Sequence, residues 1–286
     1  MLGRRGILKF LVAPPLAWLV VFFLVPLLLI AVFSLRAGSG AISPSAPFTP
    51  SVEQYVDVLT TPAFLRRLGI SVLMAVGIAT FATLLAYPLA YFLTFRAGRR
   101  GALLLTILLI PFAVSYLLRV MAWKLMLGPE GGINSLLATL GLTDEPIGLL
   151  LYSQPAVIIT LVYVWVPFAT LPIYAAMQRI DRGHLEAAAD LGAGPWSRFW
   201  RVTVPLSVPG ALATFFMVFI PTVGEYVTPS LVGGTDGIMY GNLIQGFFTR
   251  SANWPMGSAM AMVMLVLTLA LVGIALRVVD LRRLTS

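Results

Sequence analysis

The sequence predicts an all-α membrane protein of six transmembrane helices. Two observations carry that prediction. Of the 286 residues, 59% are hydrophobic and only 10% charged, and the apolar residues gather into long runs. The few basic residues fall in small clusters at the ends of those runs, which is the pattern membrane insertion leaves.

A hydrocarbon layer of about 30 Å takes roughly 20 helical residues to cross, and runs of that length lie near 10–35, 70–95, 102–127, 154–178, 207–229 and 257–279. The first opens on "GRRGILKFL", whose paired arginines resemble an export signal. The run continues to about Leu35 without a small-residue cleavage site, so it is expected to stay as an uncleaved first helix. Pro14, Pro15 and Pro26 in that run, Pro88 in the second, Pro111 in the third and Pro221 in the fifth should kink or locally unwind their helices. The longer connectors, 36–69 and 230–256, are rich in Gly, Pro, Ser and Thr. Tyr55, Phe64, Phe247, Phe248 and Trp254 recur in them, so they read as ordered caps. Six spans with short loops account for residues 1–286 as a single transmembrane domain, with no internal repeat or low-complexity tract.

Charge gives the orientation. Arg4, Arg5 and Lys9, then Arg96, Arg99 and Arg100, then Arg179, Arg182, Arg198 and Arg201, and finally Arg277, Arg282 and Arg283 put thirteen basic residues on one side. Arg36, Arg66, Arg67 and Arg250 are on the other, while Arg119 and Lys124 belong to the outer end of the third span. The positive-inside rule then places both termini and the connector 179–206 in the cytoplasm. The net charge of +8 is thus explained by topology, and its scatter speaks against nucleic acid as a partner. With no cysteine and one histidine, His184, a structural zinc site, a disulfide framework and a Cys–His catalytic pair are not expected. An intramembrane serine protease would need a histidine within the bilayer, and His184 sits in the cytoplasmic connector.

The densest polar chemistry lies in "EAAADLGAGPWSRFWRVTVP", residues 186–205. Asp181 is placed to cap a short helix from about Gly183 to Leu191, which Gly192 stops. Glu186 and Asp190 share one face, and Ala187, Ala188 and Ala189 give the helix a small surface able to seat in another protein's groove. Pro195 starts a second helical turn, whose Trp196, Phe199 and Trp200, beside Arg198 and Arg201, suit the lipid interface; Pro205 and Pro209 bracket the return to the bilayer. Read from the residues alone, the connector is either such a docking elbow or a passive interfacial linker.

The spacing Glu186-Ala187-Ala188, three residues, Gly192, nine residues, Val202, one residue, Val204-Pro205 resembles the "EAA" signature of ATP-binding-cassette (ABC) importer permeases, with Val at two positions where the family usually has Ile and Leu. That resemblance implies a type I ABC importer permease architecture. It implies that Glu186, Ala187, Ala188, Asp190 and Gly192 form a coupling surface for a separate ATPase. The chain has no Gly-Lys-Ser/Thr phosphate loop, so ATP and Mg are expected on partner ATPase subunits, and no catalytic residue, metal or cofactor is expected in this chain. The implied partners are two ATPase subunits, a homologous second permease, an extracytoplasmic solute-binding protein and membrane lipid, in a prokaryotic inner membrane.

The segments "PFAVSYLLRVMAWKLMLGPEGGINSLL" (111–137) and "VGEYVTPSLVGGTDGIMYGNLIQGFF" (223–248), with "NWPMGSAMAMVML" after them, are similar to the spermidine/putrescine branch of these permeases, specifically its first permease subunit. Importers of opines, aminophosphonates or ferric iron share much of that similarity and stay open as alternatives, as does an ATP-independent carrier. A polyamine path needs anionic or aromatic groups to replace the hydration of ammonium. Glu225 and Tyr226 are the first candidates, with Tyr116, Trp123 and Trp165 as aromatic faces. Against this stands a structural role: Arg119 could pair with Glu225 across the third and fifth spans, and the aromatic residues could be core packing.

Overall fold

The computed structural model describes residues 4–40, 48–143, 145–150 and 152–278. Arg282 and Arg283, used above in the charge count, lie outside this set, as does the last residue of the sixth expected span. The described residues are overwhelmingly helical, with one antiparallel bridge between Arg36 and Pro50 as the sole strand-like feature among them. In chain order the helices are α1 (Arg4–Leu19), α2 (Val25–Ser34), α3 (Glu53–Thr60), α4 (Pro62–Tyr91), α5 (Gly101–Leu109), α6 (Tyr116–Leu127) and α7 (Gly132–Thr139). They continue with α8 (Gln154–Gln178), α9 (Arg182–Asp190), α10 (Pro195–Arg198), α11 (Val204–Val223), α12 (Val227–Val232), α13 (Tyr240–Thr249) and α14 (Trp254–Val278). By contacts the chain divides into two compact units: residues up to Arg66 with Leu243–Leu267, and Arg67–Asn242 with the residues from Thr268 onward.

In the first unit, α1 and α2 run on through one π-helical turn, Val20–Leu24. Pro26 follows directly; it has no N–H to donate back to Phe22, and a widened turn absorbs both the missing bond and the ring's bulk. The connector after α2 is ordered where described, as its aromatic content predicts. Ser34 Oγ donates to Ala31 O at 2.7 Å and shares a 2.6 Å bond with the Tyr55 hydroxyl, while Gln54 Nε2 donates to Gly38 O at 3.1 Å. Phe33 and Phe248 meet Trp254 edge-on, with centroids 6.2 and 5.9 Å away, and Phe64 meets Phe247 at 6.0 Å.

The second unit is organised on α8 and α11. Ser153 caps α8 by accepting from Ala156 N at 3.2 Å, ahead of Pro155 in the first turn. The two helices approach so closely at Gly210 that a Cβ there would stand 2.5 Å from Ala176 Cβ and 2.8 Å from Pro172 O. Beside this approach the buried Thr214 Oγ1 donates to Ala169 O at 3.0 Å, across the helix pair. In lipid, where tails are as apolar as leucine, such close backbone packing and interhelical hydrogen bonds replace the hydrophobic drive of a soluble core.

Two spans differ from the sequence reading. The third, expected as one helix over 102–127, is broken: Val114 and Ser115 are extended (ψ 141° and 136°), and the segments Gly98–Ala113 and Tyr116–Thr139 meet at 86°. Pro111 removes a donor just before the break, and the chain tightens into a 3₁₀ turn at Ile110–Ala113. The fifth, expected over 207–229 after a separate interfacial arm, is one uninterrupted helical rod, Pro195–Val223. A π turn at Phe199–Thr203 lets it pass Pro205 without a break. The other candidate spans, Leu11–Ser34, Pro62–Arg96, Gln154–Gln178 and Trp254–Arg277, fall close to their expected places.

Gly210→Val should lower the thermal stability of the purified protein, by about 1–3 kcal/mol if α8 and α11 must part. Gly77→Ala, where a Cβ meets nothing within 4 Å, should change it by far less. Equal effects in a melting experiment would show that the Gly210 approach does not hold the pair.

Candidate functional site

Two regions hold the residues singled out in the sequence. The first is the connector between α8 and α11. Asp181 caps α9 as expected, accepting from Gly183 N at 2.9 Å. Gly192 ends α9 in the left-handed conformation (φ +84°), where its N–H reaches Ala189 O at 2.8 Å and the N–H of Ala193 reaches Ala188 O at 2.9 Å. This is the glycine-stopped C-terminus that only a residue without a Cβ adopts freely. Glu186, Ala187 and Asp190 are exposed, Ala188 partly so, and Gly192 is exposed at the tip.

Beside that tip lies a residue the sequence reading passed over. Leu191 is 88% exposed, an apolar side chain presented to solvent at the end of a polar helix. Its signal was available as a lone leucine before the stopping glycine. Behind it Ala188, Gly192, Ser197, Arg198 and Arg201 line a hollow of about 400 Å³. The aromatic half of the connector packs against α4: Phe199 meets Tyr87 and Tyr91 edge-on at 5.9 and 5.2 Å, and the Tyr87 hydroxyl shares a 2.6 Å bond with Ser207 Oγ. Trp196 stays 73% exposed.

The second region begins where α11 ends. Glu225 was expected within the outer half of the fifth span; it stands instead in the break between α11 and α12. Its Oε1 accepts from the backbone N–H groups of Tyr226 (3.1 Å), Val227 (2.8 Å) and Thr228 (3.2 Å), so the carboxylate serves donors that the helix break sets free. The Tyr116 hydroxyl lies beside that carboxylate and shares a 2.6 Å bond with Thr228 Oγ1. Tyr226 is 45% exposed on the same turn.

Arg119 does not pair with Glu225 among the described residues. Its guanidinium lies 4.4 Å from the centre of the Phe112 ring and 5.9 Å from that of the Tyr116 ring, and its buried Nε has no hydrogen-bond partner among the described residues. Trp123 packs on Tyr163 at 5.1 Å, in a groove shared with Arg119. Trp165 sits elsewhere on α8, with a buried indole N–H that has no partner. The structure thus brings Tyr116, Glu225 and Tyr226 together and leaves Trp123 and Trp165 outside that group.

The loop after α12 is fastened by side chains that sequence reasoning missed. Arg67 donates to the carbonyls of Thr235, Asp236 and Ile238 at 3.3–3.4 Å, and Gln154 Nε2 donates to Asp236 O at 3.2 Å. Asn242 accepts from Met239 N and donates to Tyr226 O at 2.8 Å and Ser230 Oγ at 2.7 Å. Gly241 lets the chain pass Gly224, whose carbonyl would stand 2.5 Å from a Cβ. In the sequence Arg67 counts only as a charge for topology; no local pattern marks it as a loop clamp.

The chain is similar to known proteins. The sequence is 36% identical over 270 residues to the spermidine/putrescine transport system permease protein PotB of Haemophilus influenzae, covering 94% of this chain and 93% of that protein. It is 36% identical over 243 residues to PotB of Escherichia coli strain K12, covering 85% and 86%. Among solved structures, a chain of a bacterial alginate ABC transporter, in complex with its alginate pentasaccharide-bound periplasmic protein, superposes with a TM-score of 0.75 at 17% identity over 96% of this chain and 94% of that one. The fold is therefore that of the type I ABC importer permeases. Residues 5–284 match the family described as the binding-protein-dependent transport system inner membrane component, and the chain belongs to that family of ABC importer permeases.

Proposed function

We propose that this chain is one of two membrane halves of an ATP-driven polyamine importer, moving spermidine or putrescine by alternating access. The observation that carries the substrate is the end-to-end similarity to spermidine/putrescine permeases. The grouping of an acidic residue with two tyrosines at a helix break is the chemistry a cationic amine requires. The whole chain acts as one permease unit in a prokaryotic inner membrane, with both termini and the connector 179–206 in the cytoplasm. A homologous permease faces it, two ATPase subunits that bind ATP and Mg lie beneath, and an extracytoplasmic binding protein delivers the cargo. No cofactor belongs to this chain.

In this reading α9 is the coupling helix. Glu186, Ala187, Ala188, Asp190 and Gly192 form its docking face, and Leu191 adds an exposed apolar side chain whose burial against the partner would favour docking. Glu225 uses Oε1 to hold the break closed, and its charge draws one ammonium of the substrate while Tyr116 and Tyr226 offer ring faces. Trp123 stands outside that group, in the groove that also holds Arg119.

ATP-dependent uptake by the complex reconstituted with its co-encoded partners, tested across polyamines, opines, an aminophosphonate and ferric iron, decides the cargo. Uptake of polyamines alone is expected, and preference for another member of the panel would replace that assignment.

Glu225→Gln keeps an acceptor oxygen for the three N–H groups and removes only the charge. It should raise the KM for spermidine by roughly tenfold, the worth of one hydrogen-bonded charge, with little loss of melting temperature. An unchanged KM would leave Glu225 with its capping role alone.

Gly192→Val meets open space within this chain, so its effect is the strain of a β-branched residue at φ +84° together with its clash on a docked partner. Uptake and substrate-stimulated ATPase activity should fall together, and Gly192→Asn, which tolerates that backbone region, should retain more of both. Full coupling in a folded Gly192→Val complex would refute the docking assignment.

A further inference from the structure

The start of α13 is fastened on two sides. On one, Tyr240 is fully buried and its N–H donates to Ser71 Oγ of α4 at 2.6 Å. On the other, Gly241 passes so close to the Glu225 turn that a Cβ would stand 2.5 Å from Gly224 O and 2.7 Å from Glu225 O. Asn242 follows, and every polar atom of its amide is engaged. Its Oδ1 accepts from Met239 N at 2.9 Å, closing the first turn of α13 as the third-position side chain of a capping box does. Its Nδ2 directs both hydrogens away from that helix, to Tyr226 O at 2.8 Å and Ser230 Oγ at 2.7 Å.

Those two bonds reach the turn that carries Glu225. Tyr226 has the non-helical backbone of a residue preceding a helix (φ −136°, ψ −23°), and the peptide groups on both sides of its Cα are held. Its N–H donates to Glu225 Oε1 at 3.1 Å, and its carbonyl accepts from Asn242, from the Ser230 hydroxyl at 2.7 Å and from Ser230 N at 3.1 Å. Ser230 Oγ thus donates to Tyr226 O while accepting from Asn242, and the three groups close a ring of hydrogen bonds. Capping α13 requires only the Oδ1 bond. With both flanking peptides held, the Cα–Cβ bond of Tyr226 has one direction, and its side chain, 45% exposed, leaves the turn along it.

We propose that Asn242 is a positioning residue for the amine site: by holding the Tyr226 peptide it sets where that ring stands beside the Glu225 carboxylate. The proposal rests on the reading of Glu225 and Tyr226 as contacts of the substrate. A carboxylate attracts an ammonium from any side, whereas a ring attracts it only over its face and within about 6 Å. A turn free to rotate therefore keeps the first contact and loses the second. Asn242 itself touches no substrate. Through Tyr240 and Ser71 its clamp is anchored to α4, a helix of 30 residues, rather than to the loop it closes.

A double-mutant cycle on the assembled complex separates positioning from structural support. Asn242→Ala should raise the KM for spermidine uptake roughly fivefold, the worth of one neutral hydrogen bond, with the maximal rate carrying less of the change. Tyr226→Ala removes the ring and leaves the carbonyl that Asn242 holds; in that background Asn242→Ala should raise KM by less than about twofold. Ser230→Ala opens the ring of bonds without touching the cap of α13, and it serves where Asn242→Ala fails to assemble. It should raise KM by about threefold with Tyr226 present and have little effect with Tyr226→Ala. Effects that multiply in the double variants make the clamp a structural support and overturn the proposal, as does an unchanged KM in Asn242→Ala. If Tyr226→Ala leaves KM unchanged while Glu225→Gln raises it, the positioning role falls and the Glu225 site stands. If neither substitution changes KM, the site itself falls.

Discussion

A backbone N–H or C=O that leaves a helix at membrane depth finds no water, so the protein must supply its partner. Much of what is irregular in this chain follows from that constraint. Where α11 stops at Val223, Glu225 takes the next donors. Where the chain loops between α12 and α13, Arg67 and Gln154 take its carbonyls, Asn242 Oδ1 accepts from Met239 N at 2.9 Å, and Ser71 Oγ accepts from Tyr240 N at 2.6 Å. Beyond α6, Asn134 donates to Gly128 O and accepts from Ile147 N. The polar side chains in an apolar protein are thus largely the counterparts of its helix breaks.

That economy explains what was legible in the sequence. Spans could be read because hydropathy integrates over some twenty residues, and α1–α2, α8 and α14 fall where the runs fall. The cap at Asp181 and the stop at Gly192 could be read because both are local backbone chemistry. The break at Val114–Ser115 could not, because apolar residues continue on both sides and hydropathy has no sense of direction. The length of the fifth helix was hidden for the opposite reason. Trp196 to Arg201 differ in polarity from the span that follows, yet helicity runs through both.

The placement of Glu225 shows a limit of pairing charges by sequence. A lone acid and a lone base in facing spans invite a salt bridge, since an unpaired charge in lipid is costly. Here each finds a different answer: backbone donors surround the carboxylate, and aromatic faces receive the guanidinium. Both depend on backbone turns that bring together residues adjacent in sequence, Glu225 with 226–228 and Arg119 with Phe112 and Tyr116.

The unbroken course from Pro195 to Val223 changes how force can pass through the proposed importer. A hinge at Pro205 would let the cytoplasmic end swing while the buried end stayed still. A continuous helix of 29 residues, about 43 Å long at 1.5 Å per residue, has no such joint there. In the proposed importer a tilt of a few degrees imposed at its cytoplasmic end would be carried as an ångström-scale shift to Gly224, the residue that follows Val223 and precedes Glu225.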